Sequence, residues 1–393
     1  MHVGIIGSRG FPLVYSGYET LVAALAPALA RRGHTVTVYC HRAAFDIRPP
    51  EVDGVRLVYA PGLRGKNVAQ LSHSAGATIH ALLTRPDVVL FVNVANGPFA
   101  GLLSSCGIPS VVNVDGVEWD RPKWSPLGQR YFRWAATVTA RWATCLITDA
   151  REMRTIYERS FLRDSMVIAY GAPVGLIPDW DALSRRSLER GGYYLVMGRL
   201  IPDNNGELIA SEFVRSKSTR KLVILGDVPY AGDPYAERIR KMFASTEVVF
   251  TGYVSDQNEV QALLEGCAGY LHGHEFGGTN PSLVWAMGAG CRILALDTRF
   301  SREVLEDGRC GGLFTKDCGS LAALIQRMDA GGVGWDALTT SAVERARRSY
   351  SWDSIVMEYE RVLAAAFHGE VTSLLAMGLA GAPAGVKAPR PGA

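Results

Sequence analysis

The feature of this sequence that most constrains its fold is a repeated alternation between short apolar segments and longer amphipathic ones. In the first unit, an apolar segment at residues 3–6 leads through a glycine-containing loop to an apolar-periodic segment at 19–31, followed by a second apolar segment at 35–39. Short β-branched runs that flank a segment of helical periodicity predict a β-loop-α-β unit. Such units build parallel sheets, and ligands of parallel sheets gather at the carboxyl ends of the strands.

The alternation continues through the first half of the chain and then begins again. Further apolar segments of the first half lie at 54–59, 88–92 and 110–114, with a helical pattern at 67–83. These segments predict one doubly wound α/β domain over residues 1–172. A proline-containing stretch at 173–192 predicts a linker. Apolar segments then recur at 193–197, 221–225, 248–251, 269–272 and 292–296, which predicts a second parallel-sheet domain over 193–345.

The end of the chain differs in composition from the two predicted domains. Residues 354–367, within a segment at 346–367, have the periodicity of an amphipathic helix. Residues 368–393 are dominated towards their end by Gly, Ala and Pro, so we expect this tail to be disordered.

Composition excludes several classes of protein. A chain of 393 residues with 48% apolar residues can fill two cores, and a net charge of +3 does not indicate a nucleic-acid binder. Seven Cys residues without a CxxC spacing predict a reduced cytoplasmic setting and no zinc site. We expect no signal peptide, because the N-terminus enters a strand at once. The longest apolar region, 88–112, is broken by Asn and Pro and does not predict a membrane span.

A glycine loop at residues 271–290 carries the strongest local signal for a binding site. Thr279 or Asn280 can cap a helix whose first position suits a proline, and Gly277 and Gly278 allow a ligand to approach the backbone closely. Free N–H groups and the helix dipole favour an anion there, and a phosphate fits best. Titratable side chains accompany the glycines, namely His272, His274 and Glu275. The alternative is an ordinary capped helix preceded by polar loop residues.

Two further strand ends carry groups that suit phosphates. Arg199 directly follows the first strand of the second domain, where Asn204 and Asn205 precede a helix, and a guanidinium holds phosphate oxygens with a bidentate fork. A surface arginine in a turn is the alternative. Near the N-terminus, Gly17 can bring an amide to a phosphate. The glycines of that region do not match GxGxxG, which disfavours a nicotinamide site.

A loop of the first domain combines carboxylates with aromatic rings. Asp115, Glu118 and Trp119 follow a strand end, and such groups suit a sugar or polyol because rings cover C–H surface while carboxylates bind hydroxyls. A solvated loop is the alternative. The next helical region carries several arginines and tryptophans, which suits either a membrane surface or a helix with one buried aromatic face. These are Arg130, Arg133, Arg141, Trp134 and Trp142.

Four separated motifs carry a resemblance to a known family. In chain order they are IIGSRGFP with YSGYET, then GRLIPDNN, then HGHEFGGTNPSLVWAMGAG, then FSREVLEDG. They resemble the retaining GT-B glycosyltransferases of family 4, in particular the rhamnosyltransferase-like branch, over nearly the whole chain up to about residue 367. The resemblance implies two Rossmann-like domains facing a cleft, a nucleotide-sugar donor bound mostly by the C-terminal domain, no metal, and a last helix that crosses back to the N-terminal domain.

The resemblance also implies roles for individual residues. Arg199, Glu275 and Asp115 take catalytic positions. The candidates for acceptor binding come from the local chemistry described above and are Glu118, Trp119 and His274. Donor-binding positions fall on Gly17, Asn204, Gly277, Gly278, Thr279, Asn280, Ser282, Trp285 and Glu303. Two of these positions depart from the family, because Asn204 replaces a lysine and Trp285 replaces a ribose-binding glutamate. Trp285 then either stacks on the nucleotide or belongs to the core.

The resulting expectation is transfer of a sugar, with retention, from a dTDP- or UDP-linked hexose or deoxyhexose to a hydroxyl of a glycan or small secondary metabolite. Charge that develops on the departing diphosphate would be stabilised by prearranged donors. Two alternatives remain open, a GT-B sugar-nucleotide epimerase and a non-catalytic subunit that binds a nucleotide sugar. The expected partners are small molecules and not nucleic acids, in a cytoplasmic protein with contact to the inner face of a membrane as an option.

Overall fold

Two parallel sheets, one in each half of the chain, organise the structure. The structure is a computed structural model that describes residues 1–12, 16–63, 69–173, 175–226, 233–332 and 334–380, except the side chains of 378–380. The expected doubly wound α/β architecture is confirmed for both halves.

The N-terminal sheet contains eight of the strands found in the described residues, in the order β3-β4-β2-β1-β5-β6-β7-β8. Neighbouring strands run parallel except for the pair β3 and β4. The strands are β1 (His2–Ile6), β2 (Thr35–His41), β3 (Glu51–Val52), β4 (Val55–Ala60), β5 (Val88–Val92), β6 (Ser110–Val114), β7 (Cys145–Thr148) and β8 (Met166–Val167). The helices of this half are α1 (Gly17–Arg31), α2 (Ala69–Thr84), α3 (Gly97–Ser105), α4 (Pro126–Trp142) and α5 (Arg151–Phe161).

The C-terminal sheet is six-stranded and wholly parallel over the described residues, in the order β11-β10-β9-β12-β13-β14. Its strands are β9 (Tyr193–Met197), β10 (Lys221–Leu225), β11 (Val248–Gly252), β12 (Gly269–His272), β13 (Ile293–Leu296) and β14 (Gly312–Phe314). The helices are α6 (Asp181–Ser184), which lies in the stretch predicted as a linker, α7 (Gly206–Ser216), α8 (Pro234–Met242), α9 (Gln257–Gly266), α10 (Pro281–Gly288), α11 (Arg299–Val304), α12 (Ser320–Asp329) and α13 (Trp335–Ser349).

Continuous apolar strands explain why both faces of each sheet are covered. Every residue of β5 and β6 is buried, as is every residue of β12 and β13. Strands without polar alternation bury both faces, and helices must therefore cover both. Two hydrophobic clusters flank each sheet, one on either face.

The last two helices return to the N-terminal half. Helix α14 (Trp352–His368) and helix α15 (Val371–Ala380) follow the second domain in sequence. Ile355, Tyr359 and Leu374 of these helices belong to the hydrophobic cluster on one face of the N-terminal sheet, and Asn113 Nδ2 donates to Tyr359 Oη at 2.7 Å. The expectation of disorder from residue 368 onward is wrong for α15, because its Val371 and Leu374 side chains are buried against this cluster. Residues 381–393 of the predicted tail, and the first two residues of the helix predicted at 67–83, lie outside the described residues.

The two sheets present their carboxyl ends to one another. The loops that follow β6 and β7 meet the loops that follow β9 and β12, as the contacts below show. In the part of the chain that the structure describes, no helix has the length and apolar character needed to cross a membrane.

Candidate active site

A cleft of about 350 Å³ lies between the carboxyl ends of the two sheets. The N-terminal domain contributes the start of α1 at Gly17, and Asp115 and Asp149, which directly follow β6 and β7. The C-terminal domain contributes Arg199 after β9 and most of the glycine loop before α10, including residues 276–280. Strand ends of parallel sheets are where α/β proteins place their ligands, and here two such edges share one cleft.

The start of α10 is held in place by side chains of its own loop. Asn280 caps the helix, and its Oδ1 accepts from Ser282 N at 3.0 Å and from Ser282 Oγ at 2.7 Å. Tyr270 Oη donates to Ser282 Oγ at 2.9 Å. Within the described residues, the amides of Thr279 and Asn280 donate to no backbone carbonyl. Free amides at the positive end of a helix dipole favour an anion, so this helix start can bind a phosphate.

Arg199 is a cation in the cleft without a carboxylate partner. Its side chain is half-buried, and it forms no ion pair with any residue of the described ranges. Asn204 Nδ2 donates to the Arg199 carbonyl at 2.8 Å. The asparagine at this position therefore holds the backbone that carries Arg199, and the guanidinium stays available for an anionic ligand.

His274 and His272 stack beside Arg199, with ring centroids 4.6 Å apart. Burial lowers the pKa of His272 to about 3 and the pKa of His274 well below its usual range, and the neighbouring His272 and Arg199 lower the latter further. Both rings are consequently neutral at physiological pH. Nδ1 of His274 is buried without a hydrogen-bond partner among the described residues.

Asp115 is bound by two tyrosines of the N-terminal domain. Tyr18 Oη donates to one carboxylate oxygen, and Tyr170 Oη donates to the other at 3.0 Å. Burial raises the pKa of Asp115 despite these bonds. Both oxygens are already paired, so Asp115 reaches a ligand only through their remaining lone pairs.

Asp149 differs from Asp115 in having no partner for its carboxyl group. The residue is 1% exposed, and neither carboxyl oxygen has a hydrogen-bond partner among the described residues. Burial raises its pKa well above the usual range, and the nearby carboxylates of Asp115 and Glu303 raise it further. Sequence reasoning did not single out Asp149. The signal that identifies it is its place directly after β7, the same position that Asp115 has after β6.

Arg121 joins the N-terminal loop to the C-terminal domain. Its Nη2 donates to the Phe276 carbonyl at 2.8 Å, and its guanidinium lies 2.9 Å from Glu118 Oε1 and 3.8 Å from Asp203 Oδ2. Burial opposes the charged form of Arg121, but Glu118, Asp115 and Asp203 outweigh burial and raise its pKa. Arg121 is therefore a buried cation that neutralises carboxylates of both domains, a role that the sequence did not reveal.

Gly278, Thr279 and Glu303 form further hydrogen bonds that hold the glycine loop and α11 against the N-terminal domain. Gly278 N donates to the Asp115 carbonyl at 3.0 Å, and Thr279 Oγ1 donates to the Asp149 carbonyl at 2.5 Å. Glu303 accepts from the amides of Arg151 and Glu152 at 2.8 and 3.0 Å, at the first turn of α5. A carboxylate at a helix N-terminus satisfies free amides and complements the dipole.

The structure corrects the prediction that Glu118 and Trp119 bind the acceptor. Trp119 is 7% exposed and packs in a hydrophobic cluster against Tyr157 and Phe161. Glu118 is 6% exposed, and its carboxylate faces Arg121 and accepts from Trp124 Nε1 at 2.7 Å. Neither side chain lines the cleft, because this loop folds its aromatic and acidic groups inwards.

Glu275 and Glu303, which were also predicted as site residues, lie outside the wall of the cleft. Lys316 Nζ lies 2.6 Å from Glu275 Oε2, and Asn205 Nδ2 donates to the same oxygen at 3.3 Å, so this carboxylate is engaged at the rim. The Glu303 carboxylate caps α5 instead of facing a donor.

The other predicted positions lie in the cleft wall. They are Gly17, Asp115, Arg199, Asn204, His274, Gly277, Gly278, Thr279, Asn280, Ser282 and Trp285. Trp285 lines the cleft and also packs against the core of the C-terminal domain. Its Nε1 donates to Gln261 Oε1 at 2.6 Å, so its ring face, and not its N–H, is left for a ligand.

No cluster of three metal-ligating side chains occurs among the residues that the structure describes.

Comparisons with known proteins show which class of enzyme this chain belongs to. Residues 16–171 match the family model described as a glycosyl transferase 4-like domain, and residues 192–329 match the model described as glycosyl transferases group 1. This chain is a glycosyltransferase with the GT-B fold. A comparison with curated protein sequences gave no match.

Solved structures of low sequence identity share the fold of this glycosyltransferase. Sucrose-phosphate synthase from Thermosynechococcus elongatus superposes with a TM-score of 0.80 at 14% identity, covering 94% of this chain and 99% of that one. HepE from Anabaena in complex with UDP-glucose gives 0.75 at 15% identity, covering 93% and 99%. WaaG, a glycosyltransferase involved in lipopolysaccharide biosynthesis, gives 0.68 at 16% identity, covering 92% and 99%.

The contacts of Arg121 generate a prediction about stability. Arg121→Ala leaves Glu118 and Asp203 buried with less compensating charge, so we expect the free energy of unfolding to fall by about 3–5 kcal/mol. Denaturant titration followed by circular dichroism measures the change. Arg302→Ala is the control, because Arg302 pairs with Asp297 at the surface and its loss should cost below about 1 kcal/mol. Equal losses in the two variants would contradict a special role for Arg121.

Proposed function

We propose that this glycosyltransferase moves a hexose or deoxyhexose from a UDP- or dTDP-linked donor to a hydroxyl of a glycan or small-molecule acceptor, with retention of the anomeric configuration. The observation that carries the donor assignment is the free guanidinium of Arg199 in the same cleft as the free amides at the start of α10. Both features favour a diphosphate. HepE, which shares the fold, binds UDP and UDP-glucose.

The reaction that these groups support is displacement of a nucleotide diphosphate from the anomeric carbon. As the bond between the anomeric carbon and the phosphate oxygen breaks, negative charge develops on that oxygen and positive charge on the sugar ring. Arg199 and the amides of Thr279 and Asn280 are fixed before the reaction, so they stabilise the charge on the phosphate without reorganisation. The Gly17 amide adds a donor from the opposite wall.

Retention follows if the acceptor attacks from the face that the diphosphate leaves. The acceptor oxygen forms its bond to the anomeric carbon and gives its proton to the departing phosphate, so the reaction needs no protein base. The neutral ring of His274 and the carboxylate of Asp115 lie in the same cleft as candidates for contacts to sugar hydroxyls.

We also propose that the reaction is independent of metal ions. In sites that use Mg²⁺ or Mn²⁺, the cation neutralises the diphosphate. Here Arg199 and the dipole of α10 supply positive charge at the position that the diphosphate would take. A sugar-nucleotide epimerase would need the same donor contacts but no acceptor, so an acceptor-dependent product separates the two activities.

Helix α4 supports the further proposal that the enzyme works at an anionic membrane surface. Trp134 and Trp142 are 53% and 51% exposed on this helix. Arg130, Arg133 and Arg141 are exposed beside them, and α4 contains no acidic residue. None of the three arginines forms an ion pair within the described residues. Amphipathic tryptophans together with unpaired arginines suit the boundary of an anionic bilayer.

Removal of the Arg199 guanidinium tests the donor site. We expect Arg199→Ala to weaken the binding of UDP or dTDP by about 1.5–3 kcal/mol, the scale of a hydrogen bond to a charged group. Isothermal titration calorimetry measures this loss. Arg302→Ala, which lies outside the cleft, is the control and should bind as the unmodified protein does. An unchanged dissociation constant for Arg199→Ala would remove Arg199 from the diphosphate site.

Chelation tests the proposed independence from metals. We expect sugar transfer to continue at an undiminished rate after dialysis against EDTA, because protein groups carry the charge of the diphosphate. Product formation by mass spectrometry with and without added Mg²⁺ or Mn²⁺ measures the effect. Loss of activity in EDTA that either cation restores would overturn the proposal.

Vesicle sedimentation tests the membrane surface. We expect the protein to bind phosphatidylcholine vesicles that contain phosphatidylglycerol and not vesicles of phosphatidylcholine alone. Arg130→Gln with Arg133→Gln should weaken binding by about 2 kcal/mol, or roughly thirtyfold, at about 1 kcal/mol for each arginine near an anionic surface. The control is Arg327→Gln with Arg347→Gln on exposed positions of α12 and α13. Equal weakening by both pairs would argue against α4 as the contact.

A further inference from the structure

Asp149 is the buried carboxyl group of the cleft that the proposed chemistry does not use. It follows β7 directly, lines the cleft, and is 1% exposed. Both of its carboxyl oxygens lack a hydrogen-bond partner in the described parts of the chain. Buried polar groups in folded proteins are almost always paired. An unpaired carboxyl beside an open cleft therefore indicates that a bound ligand supplies its hydrogen-bond partners.

Other buried carboxyl groups near the cleft have a partner that Asp149 lacks. Asp203 also has no hydrogen bond among the described residues, but it lies 3.8 Å from the Arg121 guanidinium. Asp115 accepts from two tyrosine hydroxyls, and Glu303 accepts from two backbone amides. The backbone of Asp149 is also held, because Thr279 Oγ1 donates to its carbonyl at 2.5 Å. Thr279 thus links the backbone of Asp149 to the C-terminal domain, and the amides of Asp149 and Thr279 are close enough to the carboxyl group to oppose the rise in its pKa.

The Asp149 carboxyl packs directly against Gly278 of the glycine loop. A Cβ atom added to Gly278 would lie 1.8 Å from Asp149 Oδ1, so any other residue at 278 would displace the carboxyl or the loop. Gly278 lies three residues before Pro281, the first residue of α10. Asp149 therefore touches the loop that leads directly into the proposed diphosphate site.

We propose that Asp149 binds hydroxyl groups of the sugar that the nucleotide donor carries. This inference rests on the proposed function, because the sugar bonded to a diphosphate at the start of α10 must lie next to that helix start. A pyranose ring with free hydroxyls is the ligand class that fits. Hydroxyls both donate and accept, and they can pair with either form of a carboxyl group.

The protonation state of the Asp149 carboxyl affects which donor sugars it can bind. Burial, with the nearby Asp115 and Glu303, raises the pKa of Asp149 well above its usual range, which favours the protonated form that offers one donor and one acceptor. A donor sugar that lacks the matching hydroxyl would leave this group buried and unpaired. Sites of this kind reject the deficient analogue strongly, and Asp149 is therefore a specificity-determining residue.

The experiment compares nucleotide sugars with the free nucleotides. Calorimetry gives dissociation constants for UDP, UDP-glucose, dTDP, dTDP-glucose and dTDP-rhamnose, and the nucleotide sugar that the unmodified protein binds most tightly is paired with its own nucleotide diphosphate. For Asp149→Ala we expect the ratio of the two constants, nucleotide sugar over free nucleotide, to rise tenfold or more. The constant for the free nucleotide should stay unchanged. Asp149→Asn keeps a donor and an acceptor and should give a smaller rise.

A matched control is Glu212→Gln, which alters a buried carboxyl of α7 that accepts from the amides of Gly319 and Ala322 far from the cleft. This variant should leave the ratio unchanged. An unchanged ratio in Asp149→Ala would overturn the inference, as would equal weakening of both ligands, which indicates a structural role. If the unmodified protein binds none of the five nucleotides, the proposed function itself fails and the inference falls with it.

Discussion

The contact between the glycine loop and the strand ends of the N-terminal domain is the constraint on which the cleft depends. Gly278 donates its amide to the Asp115 carbonyl, and its missing side chain makes room for the Asp149 carboxyl. Because this contact joins the two domains backbone to backbone, it sets the distance between the walls. Arg121, Thr279 and Glu303 add bonds across the same boundary, so a closed cleft is built into the packing.

The two walls of the cleft carry different polar groups. The N-terminal wall carries Asp115 and Asp149, whereas the C-terminal wall carries Arg199 and two histidines that burial keeps neutral. Among the described residues that line the cleft, Arg199 supplies positive charge without a carboxylate partner, on the same wall as the start of α10. An anionic leaving group is stabilised by positive charge, which the C-terminal wall offers, whereas the hydroxyls of a sugar pair with carboxyl groups, which the N-terminal wall offers.

The periodicity of the chain was sufficient to predict the architecture. Continuous apolar strands such as β5 and β9 predicted parallel sheets, because only a sheet covered on both faces tolerates them. The cap of α10 followed from local chemistry, since Asn280 before Pro281 satisfies free amides without any distant residue. The sequence also predicted that Arg199 lies at the ligand-binding edge, because Arg199 follows β9 and the carboxyl ends of parallel strands share one edge.

Contacts between residues distant in sequence decided which of the predicted side chains reach the cleft. Trp119 and Glu118 lie at the predicted sheet edge, but packing turned the ring into the core and Arg121 bound the carboxylate. Lys316 engaged Glu275 from 41 residues away. The sequence by itself determined the strands, helices and the edge where ligands gather, because these depend on local periodicity and capping. Only the tertiary structure decided which carboxyl stays free in the cleft, because that depends on pairing between residues that the sequence keeps far apart.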